Sequence, residues 1–372
     1  MSELETILQA TLDWGRMGKR FALATVVGVR GSTYRQLGAR QLMAEDGYSV
    51  GTVSGGCLDQ DLHRVAREVL ASGAPRLVEF DLTADDEAIW GWGIGCNGAT
   101  ELLVVPSDHA GRWAEEMAAG RGRHRTLAVV HELFGPRFSK LYVQFDGSHS
   151  GRLCDESMGR DAIGVARSAI AEGESRVVAV GGRRLLVEVV GAPRRLLICG
   201  AGHDADPVVQ YAAELGFEVV VTDERPALLT AQRFPSARLV SALPSELGRK
   251  VELDQRTYAV IMSHNYLRDL DYLRSLLGTK VPYIGALGPG ARLERLVVDL
   301  AESGCSPSPE DLAKLHGPAG LDIGAEGPKE IAWAIMAEIL AVRRSKAAGF
   351  LRDRKGPDYL RRLSDLRSRT VS

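Results

Sequence analysis

The sequence predicts an α/β protein of two domains, the second built on a doubly wound parallel sheet with helices on both faces. Three observations predict this fold class. The chain has 372 residues, and about 150 residues per domain favours two domains. Strand-like and helix-like segments alternate regularly after about residue 191, as they do in parallel sheets. A Gly-x-Gly turn at residues 200–202 joins a predicted strand to a predicted helix.

The first domain, residues 1–190, is predicted to be an α/β domain with a mixed sheet. Apolar residues at helical spacing predict a helix over 3–15. A second helix is predicted to open at Ser54-Gly55-Gly56 and to end at Gly73, and a third to lie near 161–171. No internal repeat is evident. Short β-branched runs predict strands at 21–29, 41–44, 48–53, 76–82, 100–105, 126–130, 141–145 and 185–190.

The second domain, residues 191–342, begins at the boundary Gly191-Ala192-Pro193. Because its strands and helices alternate, we expect a parallel sheet. Strands are predicted at 195–199, 218–223, 258–263 and 283–286, and helices at 205–215, 226–233, 266–277, 291–303 and 329–342.

Composition argues against several classes of protein. With 46 Lys and Arg against 48 Asp and Glu, the net charge is −2, which is unlike a nucleic-acid-binding protein. The five cysteines include no Cys-x-x-Cys pair and do not support a disulfide framework or a structural zinc site. No apolar run approaches the roughly 18–20 residues of a membrane span, and the N-terminus has no apolar signal core. We therefore expect a cytoplasmic protein.

The 41 glycines exceed the roughly 26 expected at about 7% usage, and the clearest glycine motif is Gly200-Ala201-Gly202-His203-Asp204-Ala205. Here Gly200 permits a tight turn, Gly202 lets the backbone approach a pyrophosphate, and Ala205 keeps the helix close to the sheet. Asp223, at the end of the next strand, stands where a carboxylate would bind ribose hydroxyls. The motif predicts a Rossmann-like domain with a nucleotide-containing ligand. His203 is unusual for a dehydrogenase, and the segment has no Tyr-x-x-x-Lys pair.

Three histidines of the second domain, His203, His264 and His316, fall at or just after predicted strand ends. The carboxyl ends of parallel strands converge on the crevice that binds ligands in such sheets. We therefore interpret these histidines as ligand-contacting or hydrogen-bonding groups. A shared metal site and purely structural histidines are the alternatives.

Two glycine-rich turns of the first domain each present a cysteine. Ser54-Gly55-Gly56-Cys57 places a thiol at a predicted helix start, where backbone N–H groups favour a thiolate and can hold an anion. The second is Cys96, within Trp92–Gly98. Together they suggest soft-metal or sulfur chemistry; the alternative is two unrelated residues in tight turns.

The segment after Val342 is basic. Residues 343–372 carry ten Lys and Arg against three Asp, so they are predicted to form a solvated tail or a docking segment for an acidic partner.

With these residues in hand, the sequence resembles the XdhC/CoxI family of accessory proteins for molybdenum hydroxylases, whose second half is similar to a Rossmann domain. The tail lies outside the resemblance. The blocks that carry it are GSTYRQLGAR (31–40), GTVSGGCLDQ (51–60), DLTADDEAIWGWGIGCNG (81–98), CGAGHDA (199–205), VVVTDERP (219–226), MSHNYLRDLDYL (262–273), YIGALG (283–288) and HGPAGLDIGAEGPKEIAWAIMAEIL (316–340).

The resemblance implies a chaperone without turnover of its own, which binds the molybdenum cofactor, as molybdopterin or its dinucleotide form, and helps its insertion. It makes Cys57 the leading contact of the cofactor's molybdenum and Cys96 the second. The implied partners are a xanthine dehydrogenase-like client and a sulfur-donor desulfurase; a homodimer is left open. The continuation Asp204-Ala205-Asp206 departs from the family pattern, in which an apolar residue often follows the histidine, and it places a carboxylate near the expected anion site.

Two other functions stay open from the sequence. One is an NAD(P)-dependent oxidoreductase acting on an unidentified small molecule, disfavoured because no acid/base pair is evident beside the glycine turn. The other is a non-catalytic scaffold that binds a hydroxylase.

Overall fold

The computed structural model describes residues 3–81, 97–121, 126–133 and 139–355. The chain divides into two compact units, Met1–Pro193 and Arg194–Ser372, and each is described by itself. The α/β class predicted from the sequence is confirmed. Among the described residues, no helix is long and apolar enough to cross a bilayer.

The first unit contains two five-stranded sheets, with strand orders β3-β2-β1-β5-β4 and β8-β7-β6-β10-β9. The strands are β1 (Phe21–Ser32), β2 (Arg40–Ala44), β3 (Ser49–Gly51), β4 (Arg76–Asp81), β5 (Asn97–Pro106), β6 (Leu127–Glu132), β7 (Lys140–Gln144), β8 (His149–Gly151), β9 (Arg176–Val180) and β10 (Arg183–Val190). The helices are α1 (Glu3–Arg16), α2 (Asp59–Ser72), α3 (Ser107–Arg121) and α4 (Gly159–Glu172).

All strand pairings in both sheets are antiparallel, so the mixed sheet predicted for this unit was wrong. The reason is connectivity. Short turns join β1 to β2 and β2 to β3, and such turns produce antiparallel neighbours. Each helix that follows the third strand leads to the opposite edge of its sheet, where the next strand starts a further hairpin.

The two sheets are copies of one fold. Each places a 14-residue helix, α2 or α4, between its third and fourth strands, and each helix ends at a left-handed glycine, Gly73 (φ 65°) or Gly173 (φ 74°). The strand registers also correspond. The matched pairs include Thr25↔Arg40 with His131↔Lys140, Gln41↔Gly51 with Leu141↔Gly151, and Arg76↔Val104 with Arg176↔Val187. The unit is therefore an internal duplication.

The expectation of no internal repeat was wrong because the duplication left few identical residues. From the turn after β2 to β4, the identical residues recur 100 positions later, from the turn after β7 to β9. They lie mainly in turns, caps and one helix face: Asp46, Gly47, Gly51, Asp61, Val65, Ala66, Arg67, Ala71, Gly73, Arg76 and Val78. At the spacing of 100, Ser54–Cys57 corresponds to Cys154–Ser157.

Three hydrophobic cores hold the first unit together. Apolar side chains of α2 cover one face of the first sheet, and those of α4 cover one face of the second. The remaining faces of both sheets share a core with α1 and α3, in which Trp113, Leu23 and Val129 are buried.

The second unit is a six-stranded parallel sheet of order β13-β12-β11-β14-β15-β16. The strands are β11 (Arg195–Cys199), β12 (Glu218–Asp223), β13 (Ala237–Ser241), β14 (Thr257–Ile261), β15 (Tyr283–Ala286) and β16 (Leu315–His316). The helices are α5 (Ala205–Glu214), α6 (Leu247–Lys250), α7 (Tyr266–Leu276), α8 (Gly290–Glu302), α9 (Pro309–Ala313) and α10 (Gly327–Arg343).

Hydrophobic cores lie on both faces of this sheet, one against α5 and α10 and the other against α7 and α8. The parallel, doubly wound arrangement predicted from the sequence is therefore confirmed. One predicted helix, 226–233, is a single 3-10 turn at Pro226–Leu228. The backbone then makes a separate turn, in which Phe234 N–H donates to Thr230 C=O. Residues 356–372, most of the predicted basic tail, lie outside the described residues.

Candidate functional site

The glycine turn of the second unit lies between β11 and α5, at the carboxyl edge of the sheet. Gly200 has a φ of +121°, and a Cβ there would lie 2.6 Å from the carbonyl oxygen of Met262. Only glycine allows the turn to lie this close to the chain that leaves β14. Gly200 thus brings two strand ends together, and Ala205 is fully buried where α5 begins.

The turn presents three consecutive backbone N–H groups, those of Gly202, His203 and Asp204. Within the described part of the chain, none of them donates a hydrogen bond. They precede the ten-residue α5, whose N-terminus carries a partial positive charge. Such a cradle is suited to a phosphate or another anion.

Asp223 is buried and hydrogen-bonded within the unit. Its Oδ2 accepts from Ala201 N–H and Arg225 Nη2, and its Oδ1 accepts from Arg225 N–H and Nε, all at 2.9 Å. Burial alone would raise the pKa of Asp223, but these hydrogen bonds hold it below its ordinary value. A carboxylate has about four acceptor positions, so a ribose hydroxyl would have to replace one of these donors.

Arg233 is a site residue that the sequence analysis missed. Its guanidinium donates to the carbonyl oxygens of Ala201 (2.9 Å) and Gly202 (3.0 Å) and to Asp206 Oδ1 (2.7 Å). These hydrogen bonds hold the turn in place, and the guanidinium charge offsets that of Asp206. No local pattern marks Arg233, since it lies 27 residues from Asp206 outside any regular element.

His264 lies immediately after β14 in a left-handed conformation (φ 58°), which is uncommon for residues other than glycine. Its Nε2 lies 3.0 Å from Asp204 Oδ2, and a Cβ on Gly202 would lie 3.4 Å from its ring. The histidine therefore stands beside the three free N–H groups. Its ring also contacts Asp204, the carboxylate that departs from the family pattern.

The loop that carries His264 is held by buried Asp269 on α7. Asp269 accepts hydrogen bonds from Ser263 N–H (3.2 Å) and Ser263 Oγ (2.5 Å), and Arg292 of α8 donates to it at 2.7 Å. These hydrogen bonds of Asp269 to Ser263 and Arg292 therefore hold the loop in place.

The three histidines pair with three different carboxylates. His203 is 94% exposed and lies 3.9 Å from Asp206. His316 lies on β16, 3.1 Å from Glu338, and its ring is 4.5 Å from that of Tyr283. In the described ranges, no group of three or more His, Cys, Asp or Glu residues is arranged to hold a metal ion.

Ser54–Cys57 in the first unit form a turn that precedes α2. The helix begins at Asp59, with Leu58 as its N-cap, so the prediction that it opens at Ser54 was wrong. The reason lies in local hydrogen bonds: Ser54 Oγ accepts from Gly56 N–H (3.0 Å) and donates to Asp59 Oδ1 (3.2 Å), and Gly56 has a φ of +106°.

The Cys57 side chain is exposed as a free thiol. The N–H groups of Gly55, Cys57 and Leu58 donate no hydrogen bond within the described residues. The exposed ring of Tyr34 lies beside Gly55. Cys96, the second predicted cysteine, lies outside the described residues.

The structure therefore brings together Gly200, Gly202, His203, Ala205 and His264 around one set of free N–H groups, with Asp223 bonded behind them. It places Ser54, Gly55, Gly56 and Cys57 in a separate turn of the other unit.

Comparisons with known proteins match both units. Residues 14–81 match the model of the XdhC and CoxI family, and residues 196–339 match that of the XdhC Rossmann domain. A Bacillus subtilis protein named as a probable subunit of xanthine dehydrogenase is 30% identical over 353 residues, spanning 93% of this chain and 99% of the relative. The molybdenum cofactor insertion chaperone PaoD of Escherichia coli is 24% identical, spanning 91% of this chain and 88% of the relative.

The crystal structure of a protein named xanthine dehydrogenase from Bacillus halodurans is also similar. It superposes with a TM-score of 0.74 at 30% sequence identity, covering 93% of this chain and 97% of that protein.

Proposed function

Because the chain belongs to the XdhC and CoxI family, we propose that it is an accessory protein of a molybdenum hydroxylase. In this role it binds the molybdenum cofactor as cargo and assists its maturation and insertion into the client enzyme, of the xanthine dehydrogenase or carbon monoxide dehydrogenase type. The similarity to a cofactor insertion chaperone supports this role over that of an enzyme with its own turnover.

The observation that carries the proposal is the row of free N–H groups at Gly202, His203 and Asp204. Molybdopterin carries a phosphate, and its dinucleotide form carries a pyrophosphate. Either group fits a cradle of N–H donors at a helix start. His264 adds a further polar group at the same place and contacts Asp204, and the Arg233 guanidinium neutralises Asp206.

The turn that carries Cys57 supports the part of this proposal that concerns contact with molybdenum. Its thiol is exposed, and thiolates are ligands for soft metals. The free N–H groups of Gly55, Cys57 and Leu58 favour an anionic ligand at this turn. We therefore assign Cys57 to contact with molybdenum and, as a separate assignment within the second unit, the Gly202 cradle to contact with phosphate.

An NAD(P)-dependent oxidoreductase is the second candidate, and the state of Asp223 weighs against it. The four acceptor positions of this carboxylate are taken by Ala201 and Arg225, so the ribose contact typical of NAD-binding sites would have to displace a donor. A non-catalytic scaffold would use neither the free N–H groups nor the exposed thiol.

The test is the cargo of protein purified from a molybdate-fed host, with molybdenum measured by mass spectrometry and pterin by fluorescence. We expect the wild type to carry both. Cys57→Ala should lower molybdenum at least about fivefold, and Gly202→Val should lower both, because its side chain fills the space before His264. The matched control is Cys154→Ala, an exposed cysteine in the corresponding turn of the second repeat, which should keep its cargo.

NAD(P)H titration of the same samples separates the alternatives. Tight NAD(P)H binding by protein that carries neither pterin nor molybdenum would support the oxidoreductase. Absence of all three ligands, together with binding to a hydroxylase, would support the scaffold.

A further inference from the structure

The first unit contains a cavity that the proposed function does not use. It has a volume of about 720 Å³, which lies within the range of small-molecule sites. Its walls come from β7 (Lys140 and Tyr142), from one face of α3 (Arg112 and Glu116) and from the turn after α2, including Pro75. The cavity therefore lies within a single unit of the protein.

Three cationic side chains, Arg112, Lys140 and Arg152, line this cavity. Throughout the described ranges, none of the three forms an ion pair or a side-chain hydrogen bond. By contrast, most other arginines near carboxylates in this unit are paired, as Arg183 is with buried Glu132. Arg112 and Arg152 are exposed and Lys140 is partly buried, so all three cations are available to an anion that enters the cavity.

The acidic groups at the cavity do not remove this surplus. Asp108 and Glu116 also line it, and Glu116 already accepts a hydrogen bond from Ser150 Oγ at 2.8 Å. Burial lowers the pKa of His109, another lining residue; Asp108 opposes this change, and the charges of Lys140 and Arg112 add to it. The charges of Lys140 and Arg112 therefore both influence His109 at the cavity wall.

The internal duplication allows the ion pairing of Lys140 to be compared with that of the matching residue in the first repeat. Its counterpart in the first repeat is Arg40, which is buried and forms two hydrogen bonds with Glu188. Glu188 also contacts His131, the cross-strand neighbour of Lys140. The buried carboxylate that acts on Lys140 is therefore already hydrogen-bonded to Arg40 and His131, and the Lys140 amine lines the cavity.

Burial, together with the charge of Arg40, lowers the pKa of Lys140 to about 7, although Glu188 opposes the change. Near neutral pH a large fraction of the amine is therefore uncharged and nucleophilic. An anion in the cavity would favour the protonated form, because an opposite charge stabilises it.

We propose that this cavity is a binding site for a small phosphorylated molecule, with the phosphate held by Lys140 and Arg112 and the rest of the molecule against Tyr142 and Pro75. Arginine and lysine are the side chains that most often bind phosphate. Tyr142 and Pro75 provide flat, largely apolar surface for the remainder of the ligand. The site is independent of the cradle at Gly202 and of the cargo proposed above.

Pyridoxal 5′-phosphate is a suitable probe, since Arg112 can hold its phosphate while its aldehyde reacts with the Lys140 amine in place of the phosphate contact. A neutral lysine amine attacks the aldehyde carbon, water leaves, and an imine forms; borohydride then delivers hydride to the imine carbon and fixes the label as a secondary amine. Peptide mapping of the full-length protein reports which lysines are labelled. The chain offers Lys280, exposed and far in sequence, as an internal reference.

We expect Lys140 to be labelled about tenfold faster than Lys280 at pH 7.5, and millimolar inorganic phosphate to suppress the labelling of Lys140 alone. Arg112→Gln should weaken the apparent affinity for the probe about tenfold, as the loss of a charge-assisted hydrogen bond predicts. Arg112→Lys, which keeps the charge, should retain most of it. Both variants should unfold at the wild-type temperature.

Three outcomes would overturn the proposal. Equal labelling of Lys140 and Lys280 would show that the amine is neither accessible nor activated. Fast labelling that neither phosphate nor Arg112→Gln affects would show a reactive lysine without a phosphate site. Protection by succinate as strong as that by phosphate would show a dicarboxylate site. None of these readouts requires the molybdenum cofactor, so they do not depend on the outcome for the proposed function.

Discussion

The guanidinium of Arg40 and the carboxylate of Glu188 join the two sheets of the first unit through hydrogen bonds of 2.8 and 2.5 Å. Arg40 is on β2 and Glu188 on β10, and both side chains are buried. Burial alone would raise the pKa of Glu188, yet Arg40 and His131 hold it far below its usual range. The duplication does not repeat this pair, because the position of Glu188 in the first repeat is taken by Val105.

Removal of one partner of this ion pair should be strongly destabilising. Arg40→Met leaves the Glu188 charge buried without its main partner, so we expect a loss of about 3–5 kcal/mol in the free energy of unfolding. Urea denaturation measures this loss. Arg30→Met, which breaks an exposed pair with Glu79, should cost less than about 1 kcal/mol. Similar losses in the two variants would contradict the structural role assigned to Arg40.

His131 should make the protein less stable as the pH falls. Burial lowers its pKa to about 4, although Glu188 opposes the change. Between the unfolded pKa near 6.5 and this value the unfolded chain binds more protons, so stability is lost as the pH falls from 6.5 towards 4. The loss should be on the order of 2–3 kcal/mol.

Urea denaturation of the wild type and of His131→Asn at pH 7, 5.5 and 4.5 measures this loss. The variant should show a smaller difference between pH 7 and 4.5, whatever its stability at pH 7. An unchanged pH dependence would assign the acid sensitivity to other groups.

Gly200→Ala and Gly164→Ala should change stability in opposite directions. At Gly200 the positive φ and the contact with the Met262 backbone leave no room for a side chain, so we expect a loss of at least about 2 kcal/mol. Gly164 lies within α4 with nothing within 4 Å of an added Cβ, so alanine should add about 0.5–1 kcal/mol. Thermal unfolding of both variants checks the sign of each change.

His264 should tolerate only residues that accept its left-handed backbone. Asparagine adopts positive φ readily, so His264→Asn should stay within about 0.5 kcal/mol of the wild type. His264→Val should lose about 1–3 kcal/mol because a β-branched residue is strained there. Both variants lose the imidazole and its contact with Asp204. Equal stabilities in urea denaturation would therefore show that the backbone at 264 carries no strain.

Much of the second unit could be predicted from its sequence. Strands 195–199, 218–223 and 283–286 have the bounds that their apolar runs predict, since strands of a parallel sheet covered on both faces are apolar throughout. The glycine turn could also be predicted, because a positive φ and close contact with the Met262 backbone require glycine at position 200. β13, with its half-exposed residues, and the two-residue β16 carry no such pattern.

The candidate site was only partly predictable. Gly200, Gly202 and His264 follow from a motif and from strand ends, and the structure places them together. The ribose contact predicted for Asp223 stays a prediction, and only the structure reveals that Ala201 and Arg225 occupy the four acceptor positions of this carboxylate. Arg233 was missed altogether, because a turn outside regular structure gives no periodic signal.

The sequence by itself determined the fold class, the strands and helices of the parallel sheet, and membership of the family, because these depend on local apolar periodicity and on short blocks of residues. Only the tertiary structure decided the duplication of the first unit, the pairing of Arg40 with Glu188 across 148 positions, and the absence of a partner for Lys140 among the described residues. These features arise from strand register and from contacts between residues distant in the chain. Neither leaves a local pattern, because a residue's neighbours in a sheet depend on how the strands pair.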